Sequence, residues 1–343
     1  MPYYDLSVRA KSSSRDRDRQ FLVKRALELG WDCIVWNTTL GGKLSAASAA
    51  QQCRPVAPVE LDAMQRRDVF LNRSLVKADL NLPPAAEAAS LQLRQLTRLS
   101  ATFDDLADAQ ALSIGNEIVR QFDIIAASPG NAKVFSHLCK TADIDIISLD
   151  LTRRLPFQLN KKLIDEAIAR GICFELCYSV ILGSSACRKE MLSSSRTLVQ
   201  YLRGRNLIFS SNADSVGQLR GPADVMNIAF SLGITAEFSV HTITRNSAQV
   251  VRHAACRKLR YLPAEIIAGT DFQTRWPELM LPDLQLLLQP QSSSKKRQRD
   301  QEIDEEEQER EDIAEEESEP NQSNEVTVPG GIEQGDGDDF LSF

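Results

Sequence analysis

The chain has 343 residues, 43% of them apolar, which is enough to bury the core of one large α/β domain or of two smaller ones. It contains no run of about 18 apolar residues and no basic-then-apolar leader, so neither a membrane span nor a secretion signal is expected. The net charge of −7 divides unevenly, because residues 300–343 hold 18 of the 47 acidic residues and only one basic residue. The remaining body has 39 basic against 29 acidic residues, which suits a polyanionic partner or a merely soluble surface.

Two further features of composition bear on where the protein works. The seven cysteines are widely spaced and form no CxxC pair, as in a reduced intracellular protein. The run KKRQR, with Lys295, Lys296, Arg297 and Arg299, reads as a nuclear localisation signal or a further contact to nucleic acid.

Short apolar runs alternate with segments of helical periodicity along the chain. The first strand is YYDLSVRA, Tyr3–Ala10, and the helix after it ends at Gly30. The other predicted strands are Trp31–Asn37, Gln92–Phe103, Phe122–Ser128, Asp143–Leu151, Ile172–Ser179 and Asn206–Asn212. Predicted helices lie near Leu112–Gln121, after Pro129, in Leu159–Gly171, in Ser184–Arg203, in Gly221–Gly233 and in a possible docking segment, Asp283–Pro290.

This alternation is typical of parallel β/α units. Seven such strands favour a closed TIM-like (β/α) barrel over an open doubly wound sheet, whose Gly-rich first turn is absent. We therefore predict a barrel domain at 1–265 with an irregular insertion at about 38–90. A peripheral segment at 266–291 and a disordered basic-then-acidic tail at 292–343 follow it.

In such barrels functional groups collect where the strands end. The candidate positions are Arg9, Asn37, Thr102, Ser128, Asp150, Tyr178 and Asn212. They form a poor catalytic set, because His137, His241 and His253 fall in predicted helices and no cluster of ligands converges. Neither a metal nor a cofactor is expected.

Basic side chains recur near the same strand ends and in the segments after them. Lys133 lies in the first turn of a predicted helix, where the backbone N–H groups favour an anion, although the motif taken alone favours an ordinary Asn cap. Any one of these residues taken alone fits an ordinary solvated surface, but their recurrence favours contacts to the phosphate backbone of a nucleic acid. The residues predicted to make such contacts are Arg98, Lys133, Arg153, Arg154, Arg188, Lys189, Arg196 and Arg220.

Several phrases in order resemble the eukaryotic and archaeal thirty-kilodalton protein subunit of ribonuclease P. They are TRRLPF, RGICFELCYS, CRKEMLSSS, NLIFSSNA, QLRGPADVMNIAFSLG and TRNSAQVVRHAACRK. The resemblance spans about Tyr3–Lys258, apart from the insertion. It implies a barrel of the polymerase and histidinol phosphatase type that acts as a noncatalytic subunit of ribonuclease P and of the related ribonuclease MRP.

In that family the RNA performs the cleavage that matures the 5′ end of precursor tRNA or processes precursor rRNA. The resemblance also implies a Pop-type partner protein, the other ribonuclease P subunits, and residence in the nucleus and nucleolus. Two alternatives stay open: an active metal-dependent phosphoesterase on the same barrel, and a purely protein-binding scaffold.

The first strand bears on the phosphoesterase alternative. The metal-dependent relatives implied by the resemblance carry Asp-Leu-His-x-His there, whereas this chain has Ser7 and Arg9 at the two histidine positions. Strict alternation would place Leu6 and Val8 on one face and Asp5, Ser7 and Arg9 on the other. We expect a structural ion pair among Asp5, Arg9 and Glu175, the carboxylate of an otherwise apolar strand. The alternative is that Arg9 reaches the barrel mouth and meets phosphate.

The acidic tail predicts a measurable effect on RNA binding. If it screens the basic body, deleting residues 300–343 strengthens nonspecific RNA binding at low salt. Filter binding of an unrelated RNA to the full chain and to the truncated chain measures this. Equal affinities would contradict the screening role.

Overall fold

The computed structural model describes residues 1–9, 16–40, 53–62, 65, 69, 93–113, 115–260 and 276. All of these belong to one compact unit, Met1–Leu281. The predicted localisation run at Lys295–Arg299, the predicted docking helix and the acidic tail lie outside the described residues.

Seven parallel strands pair in chain order and close into a barrel. The closure joins the last strand to the first, where the Asn212 N–H donates to the carbonyl of Ser7 at 2.7 Å and the Arg9 N–H to that of Ala213 at 2.8 Å. The predicted TIM-like barrel is therefore confirmed. The strands are β1 (Tyr4–Arg9), β2 (Cys33–Leu40), β3 (Arg94–Phe103), β4 (Ile124–Pro129), β5 (Ile146–Ser148), β6 (Cys173–Cys177) and β7 (Leu207–Ser210).

Helices follow most strands and pack outside them, where outward residues such as Leu99 and Phe174 share a core with Leu138 and Leu198. Among the described helices, none combines the length and apolarity needed to cross a bilayer. Their bounds are α1 (Asp16–Leu29), α2 (Leu106–Gln110), α3 (Glu117–Gln121), α4 (Ala132–Lys140), α5 (Lys161–Ala169), α6 (Ser179–Leu182), α7 (Ser185–Leu202), α8 (Pro222–Ser231), α9 (Ala236–His241) and α10 (Arg245–Leu259).

Polar side chains fix where several helices begin. The side-chain oxygens of Asn116, Asn131, Asn160 and Ser184 each accept a hydrogen bond from a backbone N–H in the first turn of α3, α4, α5 and α7. Such caps satisfy N–H groups that have no partner within the helix. The sequence therefore sets the helix starts at the end of the barrel where the strands finish.

The lower half of the barrel interior is apolar and is closed by α10. Val250, Val251 and Ala254 of this helix pack on the inward side chains of the strands. Trp276, which lies in the predicted peripheral segment, is buried in the same cluster. The inward residues are Tyr4, Leu6, Cys33, Val35, Leu96, Ile124, Ala126, Ile146, Cys173 and Ile208.

A buried polar network ties α10 to the strand starts. The Arg257 guanidinium donates to the Asp145 carboxylate, with Nη2 to Oδ2 at 2.9 Å, and His253 Nδ1 lies 2.7 Å from Asp145 Oδ1. Lys258 Nζ lies 2.7 Å from Asp123 Oδ1. Burial alone would raise the pKa of Asp145, but the charge of Arg257 and the contact with His253 hold it near 2. Asp145 therefore stays ionised and binds the closing helix.

The first strand departs from the expected alternation. Its register with β2 shifts between Asp5 and Val8, so Leu6 lies in the interior cluster whereas Val8 packs in the outer core. The prediction that Leu6 and Val8 share a face is wrong, because the irregularity changes the parity of the strand. Ser7 and Arg9 nevertheless share a face, and both face the upper interior.

Part of the predicted insertion packs against the barrel. Cys53, Val59 and Leu61 are buried, and β2 extends to Leu40, beyond the predicted start of the insertion. The Gln95 side chain accepts from the Val59 N–H at 2.9 Å and donates to the Val59 carbonyl at 2.8 Å. This pair of hydrogen bonds holds the segment at the outer side of β3.

The α10 network predicts a pH-dependent loss of stability in Asp145→Asn. Removing one charge from a buried ion pair costs about 3–5 kcal/mol, so we expect the free energy of unfolding at pH 7 to fall by about 3 kcal/mol. Because the pKa of Asp145 is lowered from 3.8 to about 2, its contribution is complete above pH 3.8 and is lost as the pH falls towards 2. The two proteins should therefore converge in that window.

Urea unfolding at pH 7, 4 and 2, followed by circular dichroism, measures the difference. The matched control is Asp165→Asn, an exposed position on α5, where we expect a change within about 0.5 kcal/mol. Similar losses in the two variants at pH 7 would show that the α10 network does not hold the helix.

Candidate functional site at the barrel mouth

A polar cavity of about 790 Å³ opens at the carboxyl ends of the strands. Of the seven strand-end positions singled out from the sequence, only Tyr178 does not line it. Tyr178 is instead buried, and its hydroxyl accepts from the Arg220 N–H at 3.2 Å. The strand-end residues that line the cavity are Arg9, Asn37, Thr102, Ser128, Asp150 and Asn212.

The floor of this cavity is a buried ion pair between Arg98 of β3 and Glu175 of β6. Both guanidinium Nη atoms donate to the carboxylate oxygens at 2.5 Å, and the two side chains are 1% and 0% exposed. Arg98 also donates to the Leu6 carbonyl at 3.0 Å and to the Ser100 hydroxyl at 2.9 Å, while the Ser210 hydroxyl donates to Glu175. The network thus joins β1, β3, β6 and β7 across the barrel.

The electrostatics of the floor keep both groups charged. Burial would raise the pKa of Glu175, but the charge and hydrogen bonds of Arg98 hold it below its ordinary value. Burial would likewise lower the pKa of Arg98, and Glu175 raises it instead. A bidentate pair of this kind offers neither a free base nor a free acid near neutral pH.

Asp5 and Arg9 do not form the expected ion pair. Asp5 is buried and accepts from the backbone N–H groups of Ser7 at 3.2 Å and Ser211 at 3.0 Å, and burial raises its pKa to about 6. Arg9 is exposed, and its Nε donates to Asn212 Oδ1 at 2.8 Å. The predicted pairing of Arg9 with Asp5 or Glu175 is therefore wrong, because Arg98 reaches Glu175 directly across the interior.

Arg9 instead ends a chain of hydrogen bonds along the cavity wall. Asn37 Nδ2 donates to the Ser7 hydroxyl at 2.9 Å, and that hydroxyl lies 3.4 Å from Asn212 Oδ1, the oxygen that also accepts from Arg9. Ser7 therefore works as a link between two amides. This wall therefore presents hydrogen-bonding groups to the cavity.

The predicted RNA-binding residues fall into different environments. Arg98 is buried in the floor, so its assignment to an RNA-contacting surface is wrong. Arg153 and Arg154 are exposed and line the cavity, and Arg153 Nε lies 3.3 Å from Asp150 Oδ2. Lys133 is exposed in the first turn of α4 but does not line the cavity.

The remaining candidates lie away from the cavity. Arg188 donates from Nε to the Ile181 carbonyl at 2.8 Å, which satisfies an acceptor of α6, and Arg220 donates from Nη1 to the carbonyls of Gly217 and Leu219. Lys189 and Arg196 are exposed on α7. The eight predicted RNA-binding residues thus fall into three groups. Arg98 is buried in an ion pair, Arg153 and Arg154 line the cavity, and the other five lie outside it.

Within the described ranges, no three His, Cys, Asp or Glu side chains cluster in a way that could hold a metal ion. The three histidines are in α4, α9 and α10, and His253 contacts Asp145 at the opposite end of the barrel. Burial raises the pKa of the Cys173 and Cys177 thiols to about 12, so neither is a ready thiolate ligand.

The fold and the site define a parallel (β/α) barrel whose polar interior is fixed by a paired arginine and glutamate rather than by metal-binding side chains. The chain belongs to the family described as RNase P subunit p30, whose model matches residues 2–259. The expectation drawn from the sequence phrases is therefore confirmed at the level of the family.

Individual relatives agree with this assignment. Protein GAMETOPHYTE DEFECTIVE 1 of Arabidopsis thaliana is 32% identical over 294 residues, which are 81% of this chain but 49% of that protein, so the chain spans about half of it. Ribonuclease P protein subunit p30 of Mus musculus is 30% identical over 259 residues, covering 76% of this chain and 88% of the mouse protein.

Among solved structures, a chain in the cryo-EM structure of archaeal ribonuclease P with mature tRNA has the same fold. The TM-score is 0.50 at 15% sequence identity, and the likeness covers 76% of this chain and 95% of the archaeal one.

The floor predicts a double-mutant cycle. Arg98→Met leaves the Glu175 charge buried without its partner, so we expect a loss of about 3–5 kcal/mol in the free energy of unfolding. Glu175→Leu should cost a similar amount, whereas the double variant should lose much less than the sum, because no unpaired charge remains. Equilibrium urea unfolding of the four proteins measures the coupling.

Arg9→Ala is the matched control, since it removes an arginine of the same interior that only binds a neutral amide. We expect it to cost about 1 kcal/mol. A loss as large as that of Arg98→Met would mean that Arg9 does hold a buried acid.

Proposed function

We propose that this chain is a noncatalytic, RNA-binding protein subunit of ribonuclease P and of ribonuclease MRP. In this role it supports maturation of the tRNA 5′ end and processing of precursor rRNA by the catalytic RNA. The observation that carries the proposal is the family match over residues 2–259. The names of relatives support it, since the mouse relative is a ribonuclease P subunit and a Saccharomyces cerevisiae relative, 28% identical over 145 residues, is named Ribonuclease P/MRP protein subunit RPP1.

The noncatalytic part of the proposal rests on the donor set of the barrel interior. An arginine stays protonated and cannot ligate a metal, and a serine hydroxyl is a weak ligand. Ser7 and Arg9 therefore replace two strong ligands, while Arg98 neutralises the carboxylate that stands nearest the centre. These features favour a binding role over the alternative of a metal-dependent phosphoesterase.

The RNA-binding part rests on exposed cations at the barrel mouth and on the helices outside it. Lys133, Arg153, Arg154, Lys189 and Arg196 are exposed on loops or helix surfaces, where phosphate groups can reach them. Phosphate contacts fix position on RNA without reading its sequence. The excess of basic residues in 1–299 favours this reading over a purely protein-binding scaffold.

The proposed partners are the catalytic RNA, precursor tRNA within the holoenzyme, a Pop-type protein and the other protein subunits. The proposed location is the nucleus and the nucleolus, to which Lys295, Lys296, Arg297 and Arg299 would direct the chain as a localisation signal.

Purification of the tagged full chain from its own cells, with sequencing of the copurifying RNA, tests the proposal. We expect ribonuclease P and MRP RNA to be enriched, and the purified particle to cleave precursor tRNA. A triple variant, Lys133→Glu/Arg153→Glu/Arg154→Glu, should recover less RNA and show weaker salt dependence of binding, because phosphate contacts are lost. Absence of both RNAs from the wild-type preparation would overturn the proposal.

The matched control is Arg205→Gln, an exposed arginine before β7, at the opposite end of the barrel from the mouth. Its RNA recovery should equal that of the wild type. A metal-dependent phosphoester cleavage by the protein alone, free of RNA, would instead support the phosphoesterase alternative.

A further inference from the structure

Two arginines at the barrel mouth have no acidic partner in the described part of the chain. Arg9 ends β1 and uses only its Nε, on Asn212, which leaves the two terminal nitrogens free. Arg154 follows β5, makes no hydrogen bond or ion pair there, and lines the same cavity. Since β1 and β5 stand on opposite sides of a seven-stranded barrel, these cations face one opening from two directions.

The wall between them is rich in unused hydrogen-bonding groups. The hydroxyls of Thr39, Thr102 and Ser128 line the cavity and bond to nothing within the described residues. Asn37 is 4% exposed, its Nδ2 donates to the Ser7 hydroxyl, and its Oδ1 is enclosed without a hydrogen-bond partner among the described residues. A buried acceptor without a partner is costly, so this amide is suited to turn towards a donor that a ligand in the cavity supplies.

The remaining charges of the cavity do not cancel this arrangement. Glu175 is neutralised by Arg98 in the floor, and Asp150 is engaged by Arg153 and by the Thr152 N–H and hydroxyl. Among the described residues, Asp104 is the one further acid of the lining, against the two arginines described above. These described residues therefore make the mouth net positive above a neutral floor.

From these contacts we propose that the cavity binds a single ribose-phosphate unit, either one nucleotide of an RNA chain or a free nucleotide. Arg9 and Arg154 hold its phosphate at the rim, and the orphan oxygen of Asn37 accepts from a ribose hydroxyl inside. The cavity volume lies in the range of sites that enclose small ligands. No aromatic side chain lines the cavity in the part of the chain that the structure describes, so the sugar and the phosphate are recognised rather than the stacked base.

This inference rests on the proposed RNA-binding function and deepens it by naming the unit bound and the residues that hold it. The experiment titrates the full chain with fluorescent pentauridylate, its 2′-deoxy counterpart and uridine 5′-monophosphate. We expect the RNA oligomer to bind at least several-fold more tightly than the deoxy oligomer, because only RNA offers a 2′-hydroxyl. Equal binding of the two oligomers would overturn the assignment of Asn37.

Arg9→Gln/Arg154→Gln should weaken pentauridylate binding about tenfold and reduce the slope of log K against log salt by about 0.7, the value for one phosphate contact on a single strand. Thr102→Trp fills the opening without removing a charge and should also abolish binding, with the melting temperature preserved. Arg205→Gln, an exposed arginine at the other end of the barrel, should bind as the wild type does.

The results of these titrations distinguish a failure of the ribose-phosphate site from a failure of the proposed function. If uridine 5′-monophosphate competes fully and the oligomer gains nothing over it, the occupant is a free nucleotide; if only the oligomer binds, it is a nucleotide of RNA. If the double variant and Thr102→Trp bind pentauridylate as tightly as the wild type, the cavity assignment is overturned. Copurification of ribonuclease P RNA with those same variants would then leave the proposed function standing.

Discussion

The pairing of Arg98 with Glu175 is the interaction on which the interior depends. A barrel of parallel strands normally fills its centre with apolar side chains, and a lone carboxylate there would be expensive. Here two 2.5 Å contacts and bonds to Ser100, Ser210 and the Leu6 carbonyl satisfy both charges. Because the partners come from β3 and β6, the pair fixes opposite walls of the barrel at one separation.

A second buried pair governs the other end. Asp145 at the start of β5 holds Arg257 and His253, which draws α10 across the strand starts and covers the apolar layer beneath the ion pair. The barrel is thus closed below by a helix and divided inside by a salt bridge. In the part of the chain that the structure describes, the upper compartment holds the open cavity, and its floor contributes no net charge.

Much of the fold could be predicted from the local pattern of apolar residues, whereas the partners in the buried ion pairs could not. All seven strands were expected from short apolar runs, since each run carries its own signal. Glu175 was expected to need a cation, but its pairing with Arg98 rather than with Arg9 is a contact between residues 77 positions apart, which local pattern cannot reveal. The sequence did contain one indication that Arg98 points inward. Leu96 and Arg98 are two residues apart in β3 and therefore share a face, so an inward leucine implies an inward arginine.

The polar layer agrees with the proposed role, in which the barrel binds RNA without cleaving it. Catalysis of phosphoester hydrolysis needs a metal-bound or base-activated water near the phosphate. In this chain Glu175 is paired with Arg98, and β1 presents the hydroxyl of Ser7 and the guanidinium of Arg9 instead of metal-binding side chains. A guanidinium attracts the same phosphate that a metal would attract but activates no water. In the proposed role, these strand positions bind phosphate but supply no group that would activate a water to break its ester bond.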